Sequence, residues 1–280
     1  MGIEVRPTEA GFAATRDGVP AGRATLEELP WKGEAWVELL LRVEPEHRGH
    51  RVGTALWAAV ERRLAERAVT LVDTTAADDD PVALGFAGRR GFVVTQHFVG
   101  MQLDLRTADE AVLTGAVRRV GGSGLSVGTV AEAAAALGED AADRKLWELN
   151  RRLSPDIPGN GDTFPSYAEY RAEVIGADWF RRERQYVAAD GDHWVGLSGV
   201  GVRPETRTAT QEFSAVDRAY RRRGVGAALK ARAALDARAA GLELMLTGND
   251  ATNTAIIALN EALGFTRSPG LVRLQRRAGP

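Results

Sequence analysis

Thr208 to Val216 mixes β-branched, aromatic and polar residues in the manner of a half-buried strand, and Gly224 to Ala240, Ala-rich with Leu229 and Leu235, predicts a helix. The same succession occurs earlier in the chain. Ala35 to Val43 predicts a strand, and the helix after the next glycines carries Leu56, Val60 and Leu64 at four-residue spacing, a stripe suited to burial. Val130 to Leu153 reads as helix broken by Gly138, and Ser166 to Ile175 as a second helix after the loop Ser154 to Asp162, which holds two prolines and two glycines. Asp190-Gly191 before Trp194 to Leu197 marks a hairpin, and Ile3 to Leu29 predicts two short strands around Asp17-Gly18.

The two strand-turn-helix stretches are copies of one another. Val43, Arg48, Gly53, Leu56, Leu71, Thr74, Gly91 and Phe92 recur as Val216, Arg221, Gly226, Leu229, Leu244, Thr247, Gly264 and Phe265, each 173 positions later. Solenoid repeats have periods of about 20 to 50 residues, so a repeat this long is a duplicated domain. Each copy runs strand, glycine turn, helix, strand, helix, Gly-Phe. The expected fold class is α/β (α+β) in two tandem domains, residues 1–106 and 116–280, joined by a linker over 107–115. Met101 to Leu105 is the expected last strand of the first domain, and Val117 to Val120 begins the second.

Composition narrows the chemistry. A chain of 280 residues with 44% hydrophobic and 26% charged residues suits two ordinary globular domains. The absence of Cys excludes disulfides, thiolate metal sites and a cysteine nucleophile. No apolar run approaches the ~20 residues that span a bilayer, and Met1 to Arg6 lacks the regions of a signal peptide, so the expected location is cytoplasmic with no membrane partner. A net charge of −2 gives no general attraction to nucleic acid. Of His47, His50, His97 and His193 only the first two lie close together, with no third ligand near them, and no metal is expected.

The candidate chemistry lies in the turns. Asp217-Arg218-Ala219-Tyr220-Arg221-Arg222-Arg223-Gly224-Val225-Gly226 joins strand to helix. Glycines there permit a left-handed backbone and close approach of a ligand, while the first helical amides are free donors at the positive end of the helix dipole. Such a turn binds phosphate, and its arginines add charge suited to a pyrophosphate. The spacing matches neither GxGxxG nor GxxxxGK[ST].

Val216, Arg221-x-x-Gly224-x-Gly226, Asn253, Asn260 and Gly264-Phe265 together resemble the GNAT superfamily of acyl-CoA-dependent N-acyltransferases. The resemblance covers nearly the whole chain, most specifically residues 208 to 265. It implies two GNAT-like domains, each with a mixed, splayed central sheet flanked by helices. It further implies that Arg221, Arg222, Arg223, Gly224, Val225, Gly226 and Ala227 hold the pyrophosphate of acetyl-CoA or another acyl-CoA, while Val216 offers main chain to the pantetheine arm. The matching residues of the first copy are Val43, Arg48, Gly49, Val52 and Gly53. Arg51 replaces Gly224 there, which brings strain or a different turn and weakens the expectation of cofactor binding.

In many members a Tyr four residues before the Gly of Gly-Phe is the general acid, and an Asn seven residues earlier contacts cofactor. Here the second copy has Asn260 and Asn253, the first Ala87 and Asp80. Asn260 can donate a hydrogen bond to the thioester but no proton. Asn253 is either a pantetheine contact or a helix cap. Alternation places Thr210, Glu212, Ser214 and Val216 on one strand face, which makes Glu212 the candidate base for an amine, or otherwise a solvated strand carboxylate; Leu39 is its partner at the repeat distance. The second copy is therefore the expected catalytic one, with Glu212 and Asn260 as its catalytic residues.

Asp156, Asp162, Tyr167, Glu169 and Tyr170 form either an acidic, aromatic grip for an amine or an ordinary polar loop, and Trp147, Trp179 and Phe180 either border that pocket or fill the core. The implied activity is transfer of an acetyl group from acetyl-CoA to a primary amine of a small molecule. The alternatives are a non-catalytic acyl-CoA sensor or scaffold and an acetyltransferase for a peptide or protein amine. A nucleic-acid module built on Arg218 to Arg223 lacks a wider basic surface. A reduced first copy before a fuller second one is similar to the layout of mycothiol synthase, and a shared layout does not fix the acceptor.

Overall fold

A computed structural model describes residues 2–28, 35–67, 69–156 and 164–277. They fall into two compact units, Met1–His97 with Leu271–Pro280, and Phe98–Gly270.

The first unit opens with β1 (Ile3–Thr8), β2 (Gly11–Arg16), β3 (Val19–Glu27) and β4 (Trp36–Val43), each antiparallel to the next. Three strands, rather than the expected two, precede β4. Asp17 and Gly18 both have positive φ, as a two-residue hairpin loop between right-twisted strands requires. α1 (Val52–Glu66) leads to β5 (Leu71–Ala77), which lies parallel to β4, and α2 (Pro81–Gly88) follows. The part of β12 (Thr266–Arg277) from Leu271 onward pairs antiparallel with β5. The predicted stripe Leu56, Val60 and Leu64 is buried with Val37, Leu39 and Val72.

The second unit begins inside β6 (Val93–Asp104) and ends inside β12. It contains α3 (Glu110–Gly121), β7 (Ser126–Thr129), α4 (Val130–Leu137) and α5 (Glu139–Leu153), the last two separated by Gly138 at φ 88° as its position in the sequence predicts. α6 (Tyr167–Tyr170) continues as a π-helical turn, Arg171–Ile175, before β8 (Gln185–Asp190), β9 (His193–Arg203), β10 (Thr208–Val216), α7 (Val225–Ala239), β11 (Leu244–Asp250) and α8 (Thr254–Ala262). Its sheet order is β6-β11-β10-β9-β8-β7, with β10 and β11 parallel and the other neighbours antiparallel.

These units divide the chain differently from the expected boundaries. Of the linker expected over 107–115, the residues from Glu110 onward form the start of α3. Asp109 caps α3 by accepting from Ala111 N at 2.8 Å, and Leu113, Ala116 and Val120 enter the core of the second unit. Of the loop expected over Ser154 to Asp162, the part that includes Asp162 lies outside the described residues, as does Leu29. Among the described residues no helix is long and apolar enough to cross a membrane.

Gly100 on β6 lies so close to β12 that a Cβ there would overlap the Pro269 carbonyl. Gly100→Ala is therefore expected to destabilise the protein by about 1–3 kcal/mol, read as a lower urea midpoint at unchanged slope. An unchanged midpoint would contradict this packing.

Candidate functional site

Both copies fork at the same place. β10 pairs with β11 only from Thr208 to Gln211, and β4 with β5 only from Trp36 to Glu38, so the last residues of β10 and β4 face no parallel neighbour. At the first fork Thr74 Oγ1 donates to the Leu39 carbonyl at 2.7 Å. An unpaired strand edge offers main-chain donors and acceptors to an extended ligand.

The register of the fork corrects the sequence alignment. Leu71 to Leu244 is a step of 173, yet Leu71 pairs with Trp36 and Leu244 with Thr208, a step of 172. The second copy thus carries one extra residue in this strand. The ladder of β10 against β9 shifts between Gln211 and Phe213, whereas β4 against β3 runs unbroken, so the extra residue is Glu212, the bulge. Leu39 corresponds in space to Gln211, and Glu212 has no counterpart. The expected single face of Thr210, Glu212, Ser214 and Val216 is broken by the same insertion. Gln211 shares its face with Ser214 and Val216, and Thr210 with Phe213 and Ala215.

Glu212 lies over Gly201 of β9, its Oε1 2.9 Å from where a Cβ would stand. The side chain keeps exposed surface, while neighbouring protein desolvates the carboxylate enough to raise its pKa against the opposing influence of Arg203. A carboxylate of raised pKa at the rim of a fork suits proton acceptance from an ammonium.

The turn after β10 is held by its own side chains. Asp217 Oδ1 accepts from Ala219 N at 3.1 Å, and Arg221 Nε donates to the Val216 carbonyl at 3.0 Å, fastening the turn to the strand. Tyr220 Oη donates to Asp190 at 2.8 Å, and the Arg223 guanidinium lies 5.1 Å from the Tyr220 ring centre. Arg222 (φ 63°) and Gly224 (φ 82°) are left-handed, and α7 begins at Val225 with no side-chain cap. No capping side chain therefore competes for the amides of Val225, Gly226 and Ala227 at the head of a 15-residue helix.

The first copy makes the same turn by other means. Arg48 Nε reaches the Val43 carbonyl at 3.4 Å, and the left-handed residues are Gly49 (φ 77°) and Arg51 (φ 63°), so glycine and arginine have exchanged places. Arg51 therefore does not force a different turn; it bears the left-handed conformation at a cost of about 1–2 kcal/mol. A cavity of about 440 Å³ opens here, lined among others by Leu41, Val43, Arg48, Gly53, Trp57 and Phe86, with Val52 in its wall.

Asn253 caps α8, its Oδ1 accepting from Ile256 N at 3.3 Å, as Asp80 caps α2 in the first copy. Asn260 has no exposed surface, its Nδ2 is 3.5 Å from Met101 Sδ, and among the described residues its Oδ1 has no hydrogen-bond partner. Met101 pairs with Thr247, which pairs with Gln211, so Asn260 sits beneath the sheet face opposite Glu212. The structure does not bring the two candidate catalytic residues together.

The acidic, aromatic segment is largely engaged in its own packing. Tyr170 is buried, accepts from Asn150 Nδ2 at 3.1 Å and has its pKa pushed up to about 12 by desolvation. Tyr167 Oη donates to Asp140 at 2.9 Å, Trp147 Nε1 donates to the Pro165 carbonyl at 3.0 Å, and Glu169 closes a capping box with Ser166. Phe180 is core, Trp179 stays partly exposed, and Asp156 ends a 3-10 turn. His97 pairs with Asp78 at 2.8 Å, and among the described residues no three His, Asp or Glu groups are placed to hold a metal ion.

One buried residue has no place in the sequence reading. Lys230 on α7 is 1% exposed and donates from Nζ to Gln211 Oε1 at 2.6 Å. Burial lowers its pKa to about 7. The available signal was the repeat itself, which aligns Lys230 with Trp57, a buried apolar position.

No curated protein matches the chain. Among solved structures it is similar to a tandem GNAT protein from the clavulanic acid biosynthesis pathway, solved without AcCoA: TM-score 0.70 at 21% identity, over 96% of this chain and 82% of that one. A GCN5-related N-acetyltransferase from Sphaerobacter thermophilus gives 0.68 at 16% identity, over 96% and 81%. The GCN5-related glucosamine N-acetyltransferase region of a fungal multi-domain GH3 β-N-acetylglucosaminidase gives 0.70 at 16%, over 94% and 32%. Identities this low speak for fold and not for substrate. The profile of the Acetyltransferase (GNAT) family matches residues 3–92 and 146–265, in both copies. By fold, forked strands and this match, the chain belongs to the GNAT acetyltransferase family, in tandem form.

Proposed function

We propose that the protein transfers an acetyl group from acetyl-CoA to the primary amine of a small molecule, with the chemistry in the second copy. The observation that carries this reading is the bulge, which adds Glu212 to the forked strand of that copy alone. Acetyl-CoA, when bound, supplies the acetyl group as a thioester. The amides of Val225 to Ala227 behind Gly224 would hold the pyrophosphate, Arg222 and Arg223 would add positive charge, and main chain up to Val216 would pair with the pantetheine. Glu212 accepts the proton that an alkylammonium must lose before its nitrogen becomes a nucleophile. Asn260, wholly enclosed, takes no part.

The cavity at Arg48 to Gly53 favours a second reading, in which the first copy also holds the cofactor without a base. Calorimetric titration of acetyl-CoA into the wild type and the Gly224→Glu variant separates the two. Glutamate at Gly224 sets strain and negative charge against the pyrophosphate. Complete loss of binding assigns the only competent site to the second copy, and residual binding at half the stoichiometry assigns another to the first. Absent or unchanged binding overturns the assignment to the second copy. Thiol release with an amine library then separates an enzyme from a sensor or scaffold.

A further inference from the structure

We propose that Lys230 is a positioning residue: by holding Gln211 from α7 it fixes the one-residue bulge that sets Glu212 over Gly201. The function assigned to this geometry rests on the reading of Glu212 as the base. The geometry itself does not.

Gln211 is the last residue of β10 to pair with β11 and the last before the shift against β9, so it is the point from which the bulge departs. Its side chain is 5% exposed and, among the described residues, its Nε2 has no hydrogen-bond partner and its Oε1 accepts from the Lys230 ammonium. A bulge leaves a residue outside the ladder, and the strand needs another restraint to keep it at one position instead of sliding by a residue. The buried contact from Nζ to Oε1 supplies that restraint.

The first copy is the internal control. Where the second has Gln211 and Lys230, the first has Leu39 and Trp57, both buried in one apolar core, and its strand runs flat without a bulge. The polar pair and the bulge occur together, and so do the apolar pair and the flat strand. An ammonium in a core is costly unless it is satisfied, and a Met or Leu at position 230 would pack without that cost. The lysine is explained by the carbonyl oxygen that it holds.

The test is a titration of the full-length protein with glutamate carboxyls labelled with ¹³C, the Glu212 resonance being the one that disappears in Glu212→Gln. Arg203 is the charged group that acts on Glu212, and it is retained throughout. In the wild type the midpoint lies above the ordinary glutamate range. In Lys230→Met and in Gln211→Leu it is expected to fall back toward the ordinary glutamate value, as the carboxylate moves out into solvent. The double variant, with two apolar partners, is expected to regain thermal stability without regaining the midpoint, and it serves if either single variant fails to fold. An unchanged Glu212 midpoint in the variants that fold, or recovery of the midpoint in the double variant, overturns the proposal. A purely structural role for Lys230 lowers Tm and leaves the midpoint alone. Should Glu212→Gln keep full turnover while the midpoint still moves in Lys230→Met, the positioning stands and the base assignment fails.

Discussion

With Glu212 as the proposed base, Glu212→Gln is expected to lower kcat on an accepted amine by about 10²–10⁴-fold and to leave the affinity for acetyl-CoA unchanged. The amide keeps the size and the place over Gly201 but accepts no proton at neutral pH. The pH profile gives the stricter test. A base works only when deprotonated, and desolvation holds the Glu212 pKa above its ordinary value. Wild-type kcat/KM should therefore fall on the acid side at a higher pH than an ordinary carboxylate would cause, and the variant should lose that limb. A variant that retains both its rate and its acid limb would remove Glu212 from the chemistry. Leu39→Glu in the first copy is not expected to create a second base, because that strand has no bulge and Leu39 faces the apolar core.

The contrast between Leu39 and Glu212 also marks the limit of what was legible in the sequence. The duplication, the glycine turns, the break at Gly138 and the hairpin at Asp190-Gly191 rest on local backbone demands, and each is where its residues place it. The bulge was hidden because Thr208 to Val216 alternates plausibly with or without an extra residue. Every anchor of the repeat lies at Val43 or beyond, on the far side of the insertion, so the step of 173 never tested the strand itself. Of the two outcomes open for Arg51, strain and a different turn, the structure shows the strained left-handed backbone, and the exchange of Gly49 for Arg222 and of Arg51 for Gly224 becomes legible only when the two turns are set side by side. The unit boundaries escaped because β6 and β12 are each continuous in sequence and serve different units along their length. Asn260 seemed catalytic from its distance to Gly264, yet in space it is a core amide beside Met101.

Between pH 7 and about 10.5 the wild type should gain stability relative to Lys230→Met, by no more than about 1.4 kcal/mol for each pH unit. Burial lowers the folded-state pKa of Lys230 to about 7, while the unfolded chain keeps the ordinary lysine value. Below pH 7 both states carry the proton, the slope from this group vanishes, and the folded protein bears the whole cost of a buried ammonium. Above it the folded lysine becomes neutral while the unfolded one stays charged, so the unfolded state binds more protons and stability rises with pH. The gain is complete once the pH passes the unfolded value. Chemical denaturation of both proteins at half-unit steps reads this out as a difference, in which the groups that titrate alike in the two proteins cancel. Parallel curves from pH 6.5 to 9.5 would show that Lys230 remains charged throughout. A difference that grows with pH in favour of the wild type would locate its deprotonation in this range, with Gln211 then accepting from a neutral amine that still holds the bulge in place.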